Sequence, residues 1–268
     1  MKLAVQHTLL PGDDLTEKFR IAAQLGYAGV ELAAWGFAGP MADHVGEIRA
    51  AIAASGIPVS SLCTMGSDDF VHPDPAERKK RLAGLIRMLE LADAVGARGV
   101  VALPIRPPTH LLDLAPVASE RELITQVAVA TLKAALEGTA GGQAVILLEP
   151  LNRYEAYYLR TLVDAARLCE AVGHPRVQIM ADMFHMAIEE ADIAASLRDA
   201  GQHVGHVHLA DSNRLLPGLG HTDFVAPFAA LKAMGFEGWL ALECGVPGDA
   251  METLATAASY LKACWASA

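Results

Sequence analysis

Short apolar runs alternate eight times with longer amphipathic stretches, and this rhythm constrains the fold of the chain more than any other feature. Each run is mostly continuous in its apolar character, as is typical of parallel strands that are covered on both faces. The strand candidates are Leu3–His7, Gly29–Ala33, Pro58–Cys63, Gly99–Leu103, Ala144–Glu149, Val177–Asp182, Val204–Leu209 and Trp239–Glu243. Eight β-then-α units predict parallel strands joined by right-handed crossovers. A closed (β/α)₈ barrel of the α/β class, the TIM barrel, accommodates these strands without leaving an exposed edge.

Helical segments between the strands carry apolar residues at i, i+3, i+4 and i+7, with charged residues on the opposite side. Clear examples are Pro75–Val95, Ser119–Glu137 and Leu162–Val172. Several helices are followed by a glycine that leads into the next strand, which is the usual C-cap because glycine accepts the left-handed backbone conformation. These glycines are Gly26, Gly56, Gly96, Gly173 and Gly235.

A doubly wound open sheet is the structural alternative, and a glycine-rich phosphate-binding turn after the first strand normally marks it. Residues Thr8–Gly12 occupy that position here and carry none of the glycine-rich nucleotide-binding signatures. The sequence also has no linker-like or low-complexity tract. We therefore expect residues 1–268 to form one (β/α)₈ barrel domain.

The charge balance of the chain bears on its partners. The formal net charge is −10, from 21 Lys and Arg against 31 Asp and Glu, which argues against nucleic acid or an anionic membrane. The first residues are too polar for a signal peptide, and the apolar runs stay below membrane-spanning length. Four widely separated cysteines without paired spacing indicate reduced thiols, so we expect a cytoplasmic protein.

Four consecutive strand candidates end in a side chain that can bind a metal ion. These residues are Glu149, Asp182, His208 and Glu243. The C-terminal ends of barrel strands meet at one mouth, where barrel enzymes carry their chemistry. Three carboxylates packed there would repel one another, and burying them is costly unless a cation compensates their charge. Three oxygen donors and one imidazole suit Mn²⁺, Mg²⁺ or Co²⁺, so we predict one divalent ion, with ordinary strand-end polar groups as the alternative.

The second half of the chain resembles the xylose-isomerase-like barrel superfamily of sugar phosphate isomerases and epimerases, and within it the D-tagatose and D-psicose (allulose) 3-epimerases. The matching stretches are Glu149–Glu155, Asp182–Glu190, His206–Arg214, Pro217–His221 and Leu240–Glu243. The resemblance implies the same four metal ligands that strand-end placement indicates. It also implies that three further residues contact sugar oxygens near the metal: Glu155, His185 and Arg214.

The resemblance further implies a reaction class, the epimerisation or isomerisation of a sugar through an enediolate. Such a reaction needs a base on one face of the substrate and an acid on the other. We assign this pair to Glu149 and Glu243, because their strands flank those of Asp182 and His208. The expected cofactor is Mn²⁺, with Mg²⁺ or Co²⁺ as alternatives. Three further residues at the ends of strands one to three are candidates for lining the sugar pocket: His7, Glu31 and Cys63.

The expected partner is a small sugar or sugar phosphate, and the resemblance implies a homodimer or homotetramer. Three arginines are candidate phosphate ligands, with ordinary surface placement as the alternative: Arg106, Arg153 and Arg160. Other functions stay open on the same fold. They are a metal-dependent lyase or dehydratase acting on a keto-polyol or dehydroshikimate-like acid, a metal endonuclease, which the acidic charge disfavours, and a non-catalytic sugar-binding barrel.

Overall fold

The computed structural model describes residues 1–64, 70–102 and 111–268. Eight parallel strands form a closed barrel in chain order, with β8 pairing back to β1. The strands are β1 (Lys2–Gln6), β2 (Gly29–Ala33), β3 (Val59–Cys63), β4 (Gly99–Ala102), β5 (Val145–Leu148), β6 (Val177–Asp182), β7 (Val204–Leu209) and β8 (Trp239–Leu242). The prediction of a (β/α)₈ TIM barrel is therefore confirmed. Leu103, the predicted last residue of strand four, lies outside the described residues, and the expectation of one domain stays a prediction.

Helices follow every strand within the described ranges, and the crossover after β6 contains two of them. The helices are α1 (Leu15–Gln24), α2 (Val45–Ser55), α3 (Pro75–Val95), α4 (Glu120–Gly138), α5 (Leu162–Val172), α6 (Met183–Glu189), α7 (Ile193–Ala200), α8 (Val225–Ala233) and α9 (Ala250–Ser267). Of these helices, none combines the length and the apolar character that crossing a lipid bilayer requires.

Local capping explains where the predicted helices begin and end. The Asp74 side chain accepts a hydrogen bond from the backbone N–H of Ala76 ahead of α3, and Gly96 ends that helix with a φ of 74°. The prediction Pro75–Val95 is thus confirmed at both ends. At α4, Ser119 and Glu122 form a reciprocal capping box, so Ser119 is the N-cap and the helix begins one residue later than predicted.

Side chains of successive strand residues alternate between the helical layer and the barrel interior, because Cβ atoms point to opposite faces of a strand. The main apolar core lies between the strands and the surrounding helices. A separate buried cluster fills part of the barrel interior: Ala33, Cys63, Val101, Val145, Leu147 and Met180. Further interior positions carry buried polar side chains instead: Gln6, Glu31, Ser61, His206 and His208. The interior near the C-terminal mouth is therefore polar, which is where the candidate site lies.

Candidate active site

Four strand-end side chains converge at the mouth of the barrel. Glu149 follows β5, Asp182 ends β6, His208 lies in β7, and Glu243 follows β8. One ligand atom from each lies within 4.8 Å of the others. Asp182 and His208 are buried at 1% and 0% exposure, and Glu149 is buried at 6%. The structure thus brings together all four residues that strand-end placement singled out.

Hydrogen bonds to the backbone aim Asp182 at this cluster. Its Oδ1 caps α6 by accepting from the backbone N–H groups of Phe184 at 2.7 Å and His185 at 3.2 Å. Its Oδ2 lies 3.8 Å from Nδ1 of His208. The same Nδ1 is 3.0 Å from Oε2 of Glu243. The capping bonds occupy one oxygen of Asp182 and leave the other facing the cluster.

The electrostatics of the cluster show a surplus of negative charge. Burial, together with the nearby Glu243 carboxylate, raises the pKa of Glu149 well above its usual range. Burial alone would lower the pKa of His208, but Glu31 and Glu243 raise it well above the usual value. Burial would raise the pKa of Asp182, whereas His185 and His208 hold it below its usual range. Three carboxylates and one imidazole within 4.8 Å fit a divalent cation, which would offset this charge.

A buried donor with no partner faces the same cluster. Among the residues that the structure describes, none forms a hydrogen bond with Nε2 of His185, although the side chain is only 1% exposed. It lies 3.7 Å from Oε1 of Glu149 and 3.9 Å from Oδ2 of Asp182. A buried polar atom without a partner is costly, so this position suits a donor to a bound substrate or water oxygen.

Glu155 and Arg214 lie together beside the cluster. Nη1 of Arg214 is 3.3 Å from Oε1 of Glu155, and Nη2 is 3.8 Å from Oε2 of Glu243. The guanidinium also lies over the Phe184 ring, 4.7 Å from its centroid. Burial lowers the pKa of Arg214, but Asp182 and Glu243 raise it above its usual value. The structure therefore places His185 and Arg214 beside the four-residue cluster, with Glu155 next to Arg214.

The loop after β7 holds Arg214 in an uncommon backbone conformation. Arg214 has a φ of 58°, which is rare for a residue with a side chain. The buried Asp211 side chain accepts hydrogen bonds from the backbone N–H groups of Ser212, Gly218 and Thr222 at 2.7–3.0 Å. The backbone N–H of Arg214 donates to the Asp211 carbonyl at 2.8 Å. Asp211 thus organises the loop that presents the guanidinium.

The phosphate prediction receives no support from the two arginines that are described. Arg153 pairs with Glu189, its Nε lying 2.8 Å from Oε1. Nε of Arg160 donates to the Ala156 carbonyl at 3.4 Å. Arg106, the third candidate, lies outside the described residues. Each of the two described arginines therefore already has a partner within the protein.

Sequence reasoning missed two polar residues that contact the site, Asn152 and Gln6, and named Glu31 only as a candidate for lining the sugar pocket. Asn152 donates to His185, Gln6 donates to Glu243, and Glu31 accepts from His208. Glu31 was expected at the end of strand two, but it lies in the middle of β2 and is fully buried. Alternation along each strand could have indicated Gln6 and Glu31, since both lie on the inward-facing set of positions. Asn152 gave no comparable signal, because it lies in a loop.

The chain matches a known family over most of its length. A profile of the xylose isomerase-like TIM barrel family matches residues 19–264. The chain belongs to this family. It is 31% identical over 268 residues to the 3-dehydro-D-guloside 4-epimerase of Escherichia coli K12, which covers 98% of this chain and 100% of that protein. It is 31% identical to the L-ribulose 3-epimerase of Mesorhizobium japonicum over 229 residues, 85% of this chain and 75% of that protein.

A solved structure agrees with these sequence comparisons. The 3-keto-D-glucoside 4-epimerase of E. coli in its apo form superposes with a TM-score of 0.85 at 30% identity, covering 98% of this chain and 100% of the other. The resemblance to sugar epimerases of the xylose isomerase-like family is thereby confirmed. The prediction of an isomerase is confirmed as well, because epimerases are isomerases. The roles of the individual site residues stay predictions.

Proposed function

We propose that this protein is a metal-dependent epimerase that inverts a sugar carbon next to a carbonyl group. The observation that carries the proposal is the convergence of Glu149, Asp182, His208 and Glu243 at the barrel mouth, with ligand atoms within 4.8 Å of one another. Membership of a family whose whole-length relative is a sugar epimerase supports the same reaction class. The four residues are the proposed ligands of one divalent ion.

The proposed ion is Mn²⁺, with Mg²⁺ or Co²⁺ as alternatives, because oxygen-rich sites with one imidazole suit these ions. When bound, it supplies a positive charge that stabilises the negative charge developing on the carbonyl oxygen of the substrate. We infer three substrate contacts around it. The unpartnered Nε2 of His185 donates to a substrate oxygen, Arg214 neutralises charge, and Glu155 accepts from a hydroxyl group.

Glu149 and Glu243 are the proposed acid–base pair. Their strands flank those of Asp182 and His208, so the two carboxylates approach a bound sugar from different sides. One carboxylate takes the proton from the carbon next to the carbonyl, and the electron pair of the broken C–H bond moves into the enediolate. The other, protonated, gives a proton to the opposite face of that carbon. The new C–H bond has inverted configuration, and no oxidant or reductant is consumed.

Two substrate classes fit this chemistry. A free ketose would be inverted at C3, as in the reaction that the name of the L-ribulose relative describes. A keto-glycoside would be inverted at C4, as the names of the whole-length relative and the matching solved structure describe. The 4-epimerase matches 98% of this chain, against 85% for the L-ribulose relative, which favours the keto-glycoside. We further propose that the protein is a homodimer or homotetramer, as its resemblance to the 3-epimerases implies. From its unpaired cysteines we propose that it is cytoplasmic.

Deuterium incorporation tests the proposal. The protein is incubated with Mn²⁺ in D₂O and a panel comprising D-psicose, L-ribulose and a methyl 3-dehydro-D-hexoside, and NMR locates the exchanged position. We expect deuterium and inversion at the same carbon next to the carbonyl. The absence of exchange with every member would overturn the proposal. A new double bond, seen as ultraviolet absorbance, would establish the lyase alternative instead.

A further inference from the structure

A fully buried carboxylate outside the four-residue cluster touches it from within the barrel. Glu31 has 0% exposure and lies at the centre of a set of side chains from β1, β3 and β7. Its Oε2 accepts from Ser61 Oγ at 2.6 Å and from His206 Nε2 at 3.0 Å, and its Oε1 accepts from Gln6 Nε2 at 3.1 Å. This satisfied set of donors offsets the cost of burying a charge.

His208 connects this buried group to the proposed metal ligands. Its Nε2 lies 2.9 Å from Oε1 and 3.0 Å from Oε2 of Glu31. Because a carboxylate only accepts hydrogen bonds, Nε2 carries a proton that it donates to Glu31. Nδ1 also faces a carboxylate, at 3.0 Å from Oε2 of Glu243, and it would give up its proton on binding a cation. Glu31 thus holds the ring with Nε2–H towards its own carboxylate and Nδ1 towards the proposed metal ligands.

Gln6 extends the same network to Glu243. Two carboxylates, which only accept, assign the amide orientation of Gln6, and Oγ1 of Thr8 donates to its Oε1 at 3.0 Å. Its Nε2 therefore faces both Oε1 of Glu31 at 3.1 Å and Oε1 of Glu243 at 3.3 Å. With Oε1 of Glu243 held by this amide, its Oε2 faces His208 and Arg214.

A second metal site at Glu31, His206 and His208 is the competing interpretation, since their ligand atoms also lie within 4.8 Å of one another. The distances disfavour it. Both imidazole Nε2 atoms approach Glu31 at 2.9–3.0 Å, which is ordinary for N–H···O hydrogen bonds. The carboxylate also accepts from Ser61 and Gln6. Protein donors thus surround Glu31 from several sides.

We propose that Glu31 is a positioning residue for the metal centre, which holds the ring orientation of His208 and, through the shared amide of Gln6, the orientation of Glu243. This inference rests on the proposed metal-dependent function. Outer carboxylates of this kind orient ligating histidines, and their loss typically weakens metal binding about 10–100-fold. Glu31 is not one of the four proposed ligands, and it acts on the metal centre through His208 and Gln6.

The test measures metal affinity and the hydrogen bond of the His208 ring rather than turnover. Mn²⁺ affinity is measured by electron paramagnetic resonance of the free ion for the wild type, Glu31→Gln and Ser61→Ala. Glu31→Gln keeps the side-chain volume but replaces one acceptor oxygen with a donor, so we expect the Mn²⁺ Kd to rise about 10–100-fold. Ser61→Ala is the matched control, because it removes a donor to Glu31 and leaves the Glu31–His208 contact. Its Kd should stay within about threefold of the wild type.

Nitrogen-15 NMR of the Zn²⁺-loaded protein gives a second readout, the hydrogen bond of the His208 ring. The wild-type spectrum tests this bond without a substitution. We expect the Nε2–H proton of His208 to resonate downfield because it is donated to the Glu31 carboxylate, and Glu31→Gln to shift it upfield. An unchanged Mn²⁺ Kd and an unchanged Nε2–H resonance in Glu31→Gln would overturn the positioning role alone. Failure of the wild type to bind Mn²⁺ would overturn both this inference and the proposed metal centre.

Discussion

Asn152 donates two hydrogen bonds to Nδ1 of His185, one from its backbone N–H at 3.1 Å and one from its side-chain amide at 2.8 Å. Two donors on Nδ1 place the imidazole proton of His185 on Nε2. That nitrogen is the unpartnered one beside Glu149 and Asp182. The same amide also donates to Oε1 of Glu155 at 3.0 Å. Asn152 therefore orients two of the proposed substrate contacts.

Replacement of Asn152 by Asp should impair the substrate contacts and spare the metal ligands. The new carboxylate cannot donate to His185, and it repels Glu155. We expect kcat/KM for the epimerised sugar to fall about 10–100-fold, as for the loss of a buried hydrogen bond. Steady-state kinetics at saturating Mn²⁺ measure this, and the Mn²⁺ Kd is the internal control, since it should not change. An unaltered kcat/KM would contradict the orienting role.

The proposed acid–base pair predicts asymmetric exchange. Glu149→Gln and Glu243→Gln should each lower kcat for epimerisation about 10²–10⁴-fold, because each variant lacks proton transfer at one face of the substrate. In D₂O with saturating Mn²⁺, each variant should still exchange a proton in one of the two epimers. That epimer is the one whose proton the remaining carboxylate can remove. Glu170→Gln, at an exposed position on α5, is the control and should keep wild-type turnover. Equal exchange of both epimers by both variants would refute the assignment.

Because Asp211 organises the loop after β7, we expect its replacement to destabilise the protein and to displace Arg214. Burial would raise the pKa of Asp211, but backbone N–H groups of the loop, Thr222 first among them, lower it to about 2. Asp211→Asn turns one acceptor into a donor and leaves buried N–H groups unpaired, which should lower the free energy of unfolding by about 1–3 kcal/mol. KM should rise as Arg214 loses its position. Thermal unfolding and kinetics measure the two effects.

Asp223→Asn is the matched control for this loop. Its side chain is exposed and accepts from the backbone N–H of Val225 at 2.8 Å. This substitution should lower the free energy of unfolding by less than about 1 kcal/mol and leave KM unchanged. If both variants behaved alike, the organising role of Asp211 would be wrong.

His7 should make the protein sensitive to mild acid. Burial first and then Lys18 lower the pKa of His7 to about 4, and its Nδ1 accepts from the backbone N–H of Ala33 at 3.2 Å. The unfolded chain binds a proton below about pH 6.5, whereas the folded chain does so only near pH 4. The stability that neutral His7 contributes is therefore present above pH 6.5 and is lost as the pH falls towards 4. The free energy of unfolding should fall by about 3 kcal/mol as this contribution is lost.

Denaturant unfolding between pH 4 and pH 7 measures this contribution as a difference between proteins. His7→Asn keeps an acceptor near Ala33 and cannot titrate, so its stability should fall less steeply over that window. His221→Asn, at an exposed loop position, should follow the wild type. Parallel curves for all three proteins would contradict the assignment.

Local sequence determined the barrel and the four converging strand ends. Periodicity, the cap at Asp74 and the glycine at Gly96 act over a few residues, so α3 could be predicted at both ends. Glu149 and Asp182 could be singled out because parallel strands bring their C-terminal ends to one mouth whatever the loops do. This reasoning needs only the order of the strands.

Only the tertiary structure decided which atoms of those residues face one another. Gln6 reaches Glu243 across 237 positions, and it does so because β1 pairs with β8 when the barrel closes. Glu31 and His208 meet across the barrel interior, 177 positions apart. Such contacts depend on register and strand tilt, which no short segment encodes. The hydrogen-bond partners of His208 and Glu243 are therefore set only when all eight strands are assembled.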